Sequence, residues 1–386
     1  MIVLYVVNSH VGKPGNIGFR VFKLVKTIKE KPYAPYLVAR RHVKGRFFKT
    51  IDMKWFGSIG RILNAVNIYV SRNFEHRKYD ILFFRIFFST ASNLGWLKSI
   101  RKTDTPKLAH VIEYSPETIL KLKKDCFSII LDVPIAPAKY VEQLELKYGE
   151  TFGMKVNRYM FERELASLKL ADLIVVPSDF VFEEVVKLGI EPGKCRIVPF
   201  GADISTDNYE KPVKTHVDFV FAGAVSYRKG IEFLLEAWSH DRFKCHKLHL
   251  CGRIDPRISK LLKKYNFKNV LTPGFVDTKE YFRNCDVYVF PSLLEGSSKS
   301  IYEAMAAGLP VITTFESGSV IEHGVNGLIV QKCESSSLRK AMQFYLDDRD
   351  KLLMHGKNSK NIASKYTWER YAAGIYGLYK EVVKGG

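Results

Sequence analysis

The sequence predicts an α/β chain made of two Rossmann-like halves that face each other across a cleft. Three observations carry that prediction. Short apolar runs of strand length alternate with segments of helical spacing, glycine or proline marks each change, and the cycle begins twice, at Met1 and again at Val217.

The first cycle opens with Met1 to Asn8, apolar enough for a buried parallel strand. A glycine-bearing loop from His10 to Gly18 follows, and Phe19 to Lys31 has helical spacing. Ile59, Ile62, Leu63, Val66 and Val70 share one helical face, while Ile81 to Phe88, Lys107 to Glu113 and Phe127 to Asp132 read as strands. Phe161 to Lys169 reads as helix, Leu173 to Pro177 as strand, Asp179 to Leu188 as helix and Cys195 to Pro199 as strand. Gly201 to Thr215 has no period and reads as a linker. The second cycle places strands at Val217 to Ala222, Lys247 to Cys251, Val287 to Phe290 and Pro310 to Thr313. Its helices are Gly230 to Ser239 and Ile301 to Ala307, the latter closed by Gly308. Two such sheets bind ligands beyond the carboxyl ends of their strands.

Composition narrows the function. The 386 residues leave room for two or three domains of about 150 residues. With 46% hydrophobic and 13% aromatic residues, disorder is excluded. No apolar run approaches the roughly 18 residues of a membrane span, and the greasiest stretch carries Arg85 in its middle. Met1 leads straight into a strand with no basic region or cleavage site, so a cytoplasmic chain is expected. The six cysteines have no C-x-x-C spacing and read as reduced thiols. Cys245, His246, His249 and Cys251 are metal-ligand types, but an extended strand turns His246 away from the other three, so no metal is expected.

The formal charge of +20 is concentrated. Residues 1–110 hold 21 Lys and Arg against 5 Asp and Glu, so a partner surface of opposite sign is expected there. Arg40, Arg41, Lys44, Arg46 and Lys49 are interleaved with Phe47, Phe48 and Trp55, which suits an acceptor site or an anionic membrane surface. A groove for a soluble anion and a solvated loop remain alternatives. A nucleic acid would also suit the charge, but no recognition module is visible, so no specific nucleic acid is expected.

The chemistry-bearing string runs from Phe290 to Gly308. A strand ends at Pro291, a polar loop carries Glu295, and a helix opens near Ser300, so the amides of Ser297 to Ser300 are expected to form an anion site. Glu303 is expected in the first helical turn, where a carboxylate also suits the dipole. Taken alone, Glu295 is an ordinary loop acid and Glu303 a capping one.

The whole string, two acids eight apart followed by Ala304-Met305-Ala306-Ala307-Gly308-Leu309-Pro310-Val311-Ile312, resembles the E-x7-E signature of retaining GT-B glycosyltransferases, family 4 above all. The likeness continues through Phe221-Ala222-Gly223 to Arg228-Lys229-Gly230, Leu250-Cys251-Gly252, Asp286 to Ser292 and Gly318 to Val330. In the first half, Ala171 to Ser178 and Val198 to Asp203 also look like that family.

The resemblance implies a GT-B fold: an acceptor domain at 1–203, a nucleotide-sugar domain at 204–365, and a closing helix at 366–386 that returns to the first domain. It implies transfer from a UDP- or GDP-sugar to a glycan or lipid-linked acceptor, with retention and without metal. It puts Glu295 against the transferred sugar, Glu303 on the ribose, and Arg228 and Lys229 on the diphosphate. Ser297, Ser298 and Gly223 line the donor, and Gly15 and Gly18 let backbone approach the donor sugar or the acceptor. Fixed cations and helix amides suit a leaving diphosphate.

Three departures stand out. Ala224 replaces an Arg that many members carry, so that charge falls to Arg228. Lys299 occupies a position usually apolar and either touches phosphate or faces solvent. The family's His at the end of a first-domain strand is absent; Asp132 stands there and either replaces it as a catalytic group or caps a loop. A chain that binds nucleotide without chemistry is the first alternative function, and a basic nucleic-acid-binding protein the second.

Overall fold

The computed structural model describes residues 1–11, 17–28, 34–42, 49–50, 104–112, 114–149, 158–203 and 214–384. The helix expected around Ile59 to Val70 and the strand Ile81 to Phe88 lie outside them. So does most of the linker and the loop with Lys44, Arg46, Phe47, Phe48 and Trp55.

The first sheet has the order β3-β2-β1-β4-β5-β6-β7, all parallel. Its strands are β1 (Ile2–Val11), β2 (Ala34–His42), β3 (Lys49–Thr50), β4 (Lys107–Val111), β5 (Ser128–Asp132), β6 (Leu173–Val176) and β7 (Cys195–Ile197). A strand covered on both faces must be apolar on both, and β1 shows how the alternation sorts the core. Leu4 and Val6 face a layer shared with Ala109, Val111, Ile129, Leu131, Ile174 and Val176. Val3, Tyr5 and Val7 face the other, with Leu108, Ile130, Leu173 and Val175.

That second layer is closed by the helix Ile17–Thr27 and by the helix Trp368–Lys384, whose Trp368, Tyr371, Ile375 and Tyr379 are buried against the first sheet. The carboxyl-terminal segment therefore ends on the first half of the chain.

The second sheet has the order β10-β9-β8-β11-β12-β13, also all parallel. Its strands are β8 (Asp218–Ala222), β9 (Lys247–Cys251), β10 (Val270–Gly274), β11 (Val287–Phe290), β12 (Val311–Thr314) and β13 (Gly327–Val330). Phe219, Trp238, Phe243 and Phe290 anchor its core.

β2, β3, β10 and β13 are not among the strands the sequence predicts. β10 is largely exposed and contains Pro273, as an edge strand can be, and β13 has only four residues. Both sheets run outward from a central first strand, and the turn of strand order leaves a crevice at the carboxyl ends of β1/β4 and β8/β11.

Candidate active site

The acidic loop begins where β11, buried along its whole length, stops at Pro291. Gly230 brings the Arg-Lys string to it. Its φ of +71° is a left-handed conformation, and a Cβ there would lie 2.0 Å from the Pro291 carbonyl oxygen. Only glycine allows that approach, and the Leu293 N–H donates to the Arg228 carbonyl at 2.9 Å.

Arg228, Lys229 and Glu295, which the sequence placed on one diphosphate and sugar site, are brought together. Arg228 Nη1 donates to Glu295 Oε1 at 2.7 Å and to the Leu294 carbonyl at 2.8 Å. Lys229 Nζ donates to the same Glu295 oxygen, and Ser292 Oγ donates to it at 3.2 Å. Lys229 is 9% exposed and lies 4.7 Å from the centre of the Phe290 ring. Burial pushes its ammonium pKa down, Glu295 opposes this, and the net position is below the ordinary lysine value.

The helix after the loop is Lys299–Ala306, with Ser298 as N-cap. The amides of Ser298, Lys299 and Ser300 donate to no acceptor among the described residues, so the helix start is free for an anion. Hydroxyls tie the loop: Ser297 Oγ and Tyr302 Oη are 2.7 Å apart, Ser298 Oγ and Ser300 Oγ 3.0 Å, and Tyr288 Oη donates to Ser300 Oγ at 2.7 Å. Glu303 is not in the first turn as expected. The helix opens one residue earlier, so Glu303 is its fifth residue, too far along for a capping carboxylate. Lys299 Nζ meets it at 2.8 Å as an i,i+4 pair, both groups partly exposed.

The first half supplies the other wall. Leu293 and Leu294 are buried in its core with Tyr140 and Phe180. Tyr140 Oη donates to the Leu293 carbonyl at 3.1 Å, and Ser178 Oγ to the Gly296 carbonyl at 2.7 Å. A Cβ on Gly296 would lie 1.7 Å from the Pro134 carbonyl oxygen. Lys332 Nζ bridges Glu316 at 2.7 Å and Tyr140 Oη at 3.0 Å. Sequence reasoning missed Tyr140, Ser178, Gly296, Glu316 and Lys332. Ser178 and Gly296 stood inside strings already singled out, but nothing in one sequence pairs residues 118 positions apart.

Asp132 lies in a buried ion-pair cluster. Its carboxylate ends β5, 2% exposed, with Arg20 Nη2 at 3.0 Å and His110 Nε2 at 3.4 Å. Burial pushes its pKa up, Arg20 and His110 outweigh that, and the group lies below the ordinary carboxylate value. Arg20 stacks 4.3 Å over Phe200, and His110 Nδ1 lies 2.7 Å from Tyr379 Oη, which donates to Tyr5 Oη at 3.0 Å. This is a buried ion-pair cluster linking Ile17–Thr27, β1, β4, β5 and the last helix.

Gly223 follows β8 at φ +144°. Gly18 falls in the first turn of the helix Ile17–Thr27, and Arg40 and Arg41 lie on β2. Gly15, Lys44 and Arg46 lie outside the described residues. In the cysteine-histidine string, His246 Nδ1 accepts the Val217 N–H at 2.9 Å and His249 packs on Tyr281. No group of three or more His, Cys, Asp and Glu able to hold a metal lies among the described residues, and none of their helices is long and apolar enough to cross a membrane.

Residues 216–348 match the family model described as Glycosyl transferases group 1. An uncharacterized glycosyltransferase of Methanocaldococcus jannaschii is 29% identical over 232 residues, 55% of this chain and 57% of that protein. The chain spans about half the length of the curated relatives it matches first. Among solved structures, Anabaena HepE in complex with UDP superimposes with a TM-score of 0.64 at 14% identity, covering 99% of this chain and all of that one. Sucrose-phosphate synthase from Thermosynechococcus elongatus gives 0.67 at 20% identity, covering 100% and 99%. The chain has the GT-B fold, and the match to the group 1 glycosyl transferase model lies in its second half.

Proposed function

We propose that this chain is a glycosyltransferase that moves a sugar from a UDP- or GDP-sugar to a glycan or lipid-linked acceptor, with retention at the anomeric carbon and without a bound metal. One observation carries the reading: Arg228, Lys229, Glu295 and the free amides at Ser298 to Ser300 converge at the carboxyl edge of the second sheet, against a wall from the first. Two cations and a helix start meet the charge that a departing nucleoside diphosphate develops. Glu295 takes the sugar hydroxyls and Glu303 the ribose. HepE, of the same fold, binds UDP, which supports a nucleoside diphosphate here.

Turnover and thermal shift against a panel of UDP, GDP, ADP and TDP sugars test this. One nucleotide sugar is expected to stabilise the chain and be consumed, with EDTA leaving the rate unchanged and NMR of the product showing retained configuration. Failure of every nucleotide to bind would refute the donor site. A second reading, nucleotide binding without transfer, is favoured by the burial of Asp132 where the family's His was sought. Binding without consumption of any donor would select it. Docking on an anionic membrane through the basic first 110 residues is part of the proposal and rests on sequence charge alone.

A further inference from the structure

We infer that Glu295 is a stand-in for the diphosphate: its carboxylate occupies the cation seat of Arg228 and Lys229, and it yields that seat fully only to a ligand that brings both a diphosphate and a sugar. The inference deepens the donor-site reading and rests on it.

The geometry is asymmetric. Arg228, Lys229 and Ser292 all donate to Oε1, while Oε2 accepts nothing among the described residues. Two cations share one anion, which leaves one positive charge in excess. No other acid among the described residues pairs with either cation. A buried ammonium without a counter-charge is costly, and Lys229 is the more enclosed of the two, 9% exposed against 26% for Arg228. The chain meets that need from its own loop.

A diphosphate carries more charge and more acceptor oxygens than a carboxylate, so it takes the cations. Glu295 is then displaced beside a like charge, which disfavours the complex unless new donors reach it. Sugar hydroxyls are such donors, and charge-assisted hydrogen bonds to them compensate the lost pair. A bare nucleoside diphosphate brings none. Glu295 therefore discriminates donor from spent product, and after transfer it returns to Arg228 and Lys229 and drives the diphosphate out.

The test is calorimetric affinity for UDP, UDP-glucose, GDP and GDP-mannose with the wild-type chain and with Glu295→Gln, which keeps the shape and removes the charge. The variant is expected to bind the bare diphosphate at least tenfold tighter, so that the preference for sugar nucleotide over diphosphate falls by at least tenfold. Glu295→Asp, too short to reach both cations, shifts the same ratio in the same direction and serves where the Gln variant does not fold. If the wild type binds a nucleotide and the variant binds the bare diphosphate no tighter, the stand-in role is overturned while the donor site stands. If the wild type binds none of the four, the donor site itself fails and the inference with it.

Discussion

Replacing Asp132 with Asn removes one charge from the buried cluster and leaves Arg20, 7% exposed, without its counter-ion. Removing one partner of a buried pair destabilises by about 3 to 5 kcal/mol, because the remaining charge stays desolvated. With a urea slope of about 2 kcal/mol per molar, the unfolding midpoint of the first half should fall by about 1.5 to 2.5 M. Trp368, buried in the same layer, gives the fluorescence signal. Removing both charges, as Asp132→Leu with Arg20→Met, should restore part of the loss.

The pH dependence has a definite sign. The folded carboxyl titrates below its ordinary value of 3.8. Its contribution is therefore complete above the unfolded value and drains as the pH falls through the folded one, so wild type loses stability below about pH 4 and the Asn variant shows a flatter acid limb. A midpoint shift under about 0.5 M, with an unchanged acid limb, would refute the structural role of this cluster.

Glu303→Ala should weaken nucleotide-sugar binding by roughly ten- to a hundredfold, the loss of a charged acceptor worth about 1.5 to 3 kcal/mol, and calorimetry on the folded variant reads it. Gly296→Ala puts a methyl group against the Pro134 carbonyl, where backbone has to move on one side. A loss of about 1 to 3 kcal/mol and a raised KM for the donor are expected from denaturation and steady-state kinetics. Replacing Arg228 and Lys229 together with Ala should cut turnover at least a hundredfold, and normal kinetics would make them surface cations. Flotation with anionic vesicles should carry the protein up at low salt and lose it as ionic strength rises, and indifference to such vesicles removes the membrane from the proposal.

Local patterns determined much of this molecule without help. Alternating apolar runs placed β1, β4 to β9, β11 and β12 close to where they lie, because a strand buried on both faces leaves an unbroken apolar signature. The ordered strings around Glu295 and Glu303 and at Arg228-Lys229-Gly230 stand out through their resemblance to the glycosyltransferase motif, and the structure gathers Arg228, Lys229 and Glu295 at one strand end and one loop before a helix start.

What the sequence could not carry is pairing across distance. β10 hides because an exposed edge strand with a proline carries little apolar signal, and β13 because four residues derive their place from pairing with β12. Asp132 reads equally as catalyst or cap, and only the fold brings Arg20 and His110, 112 and 22 residues away, onto its carboxylate. Glu295 read as an acid awaiting a sugar. Only the left-handed turn at Gly230, pressed on Pro291, reveals that two cations already hold it, because a charge's partner is set by where the backbone can approach and not by its place in the chain.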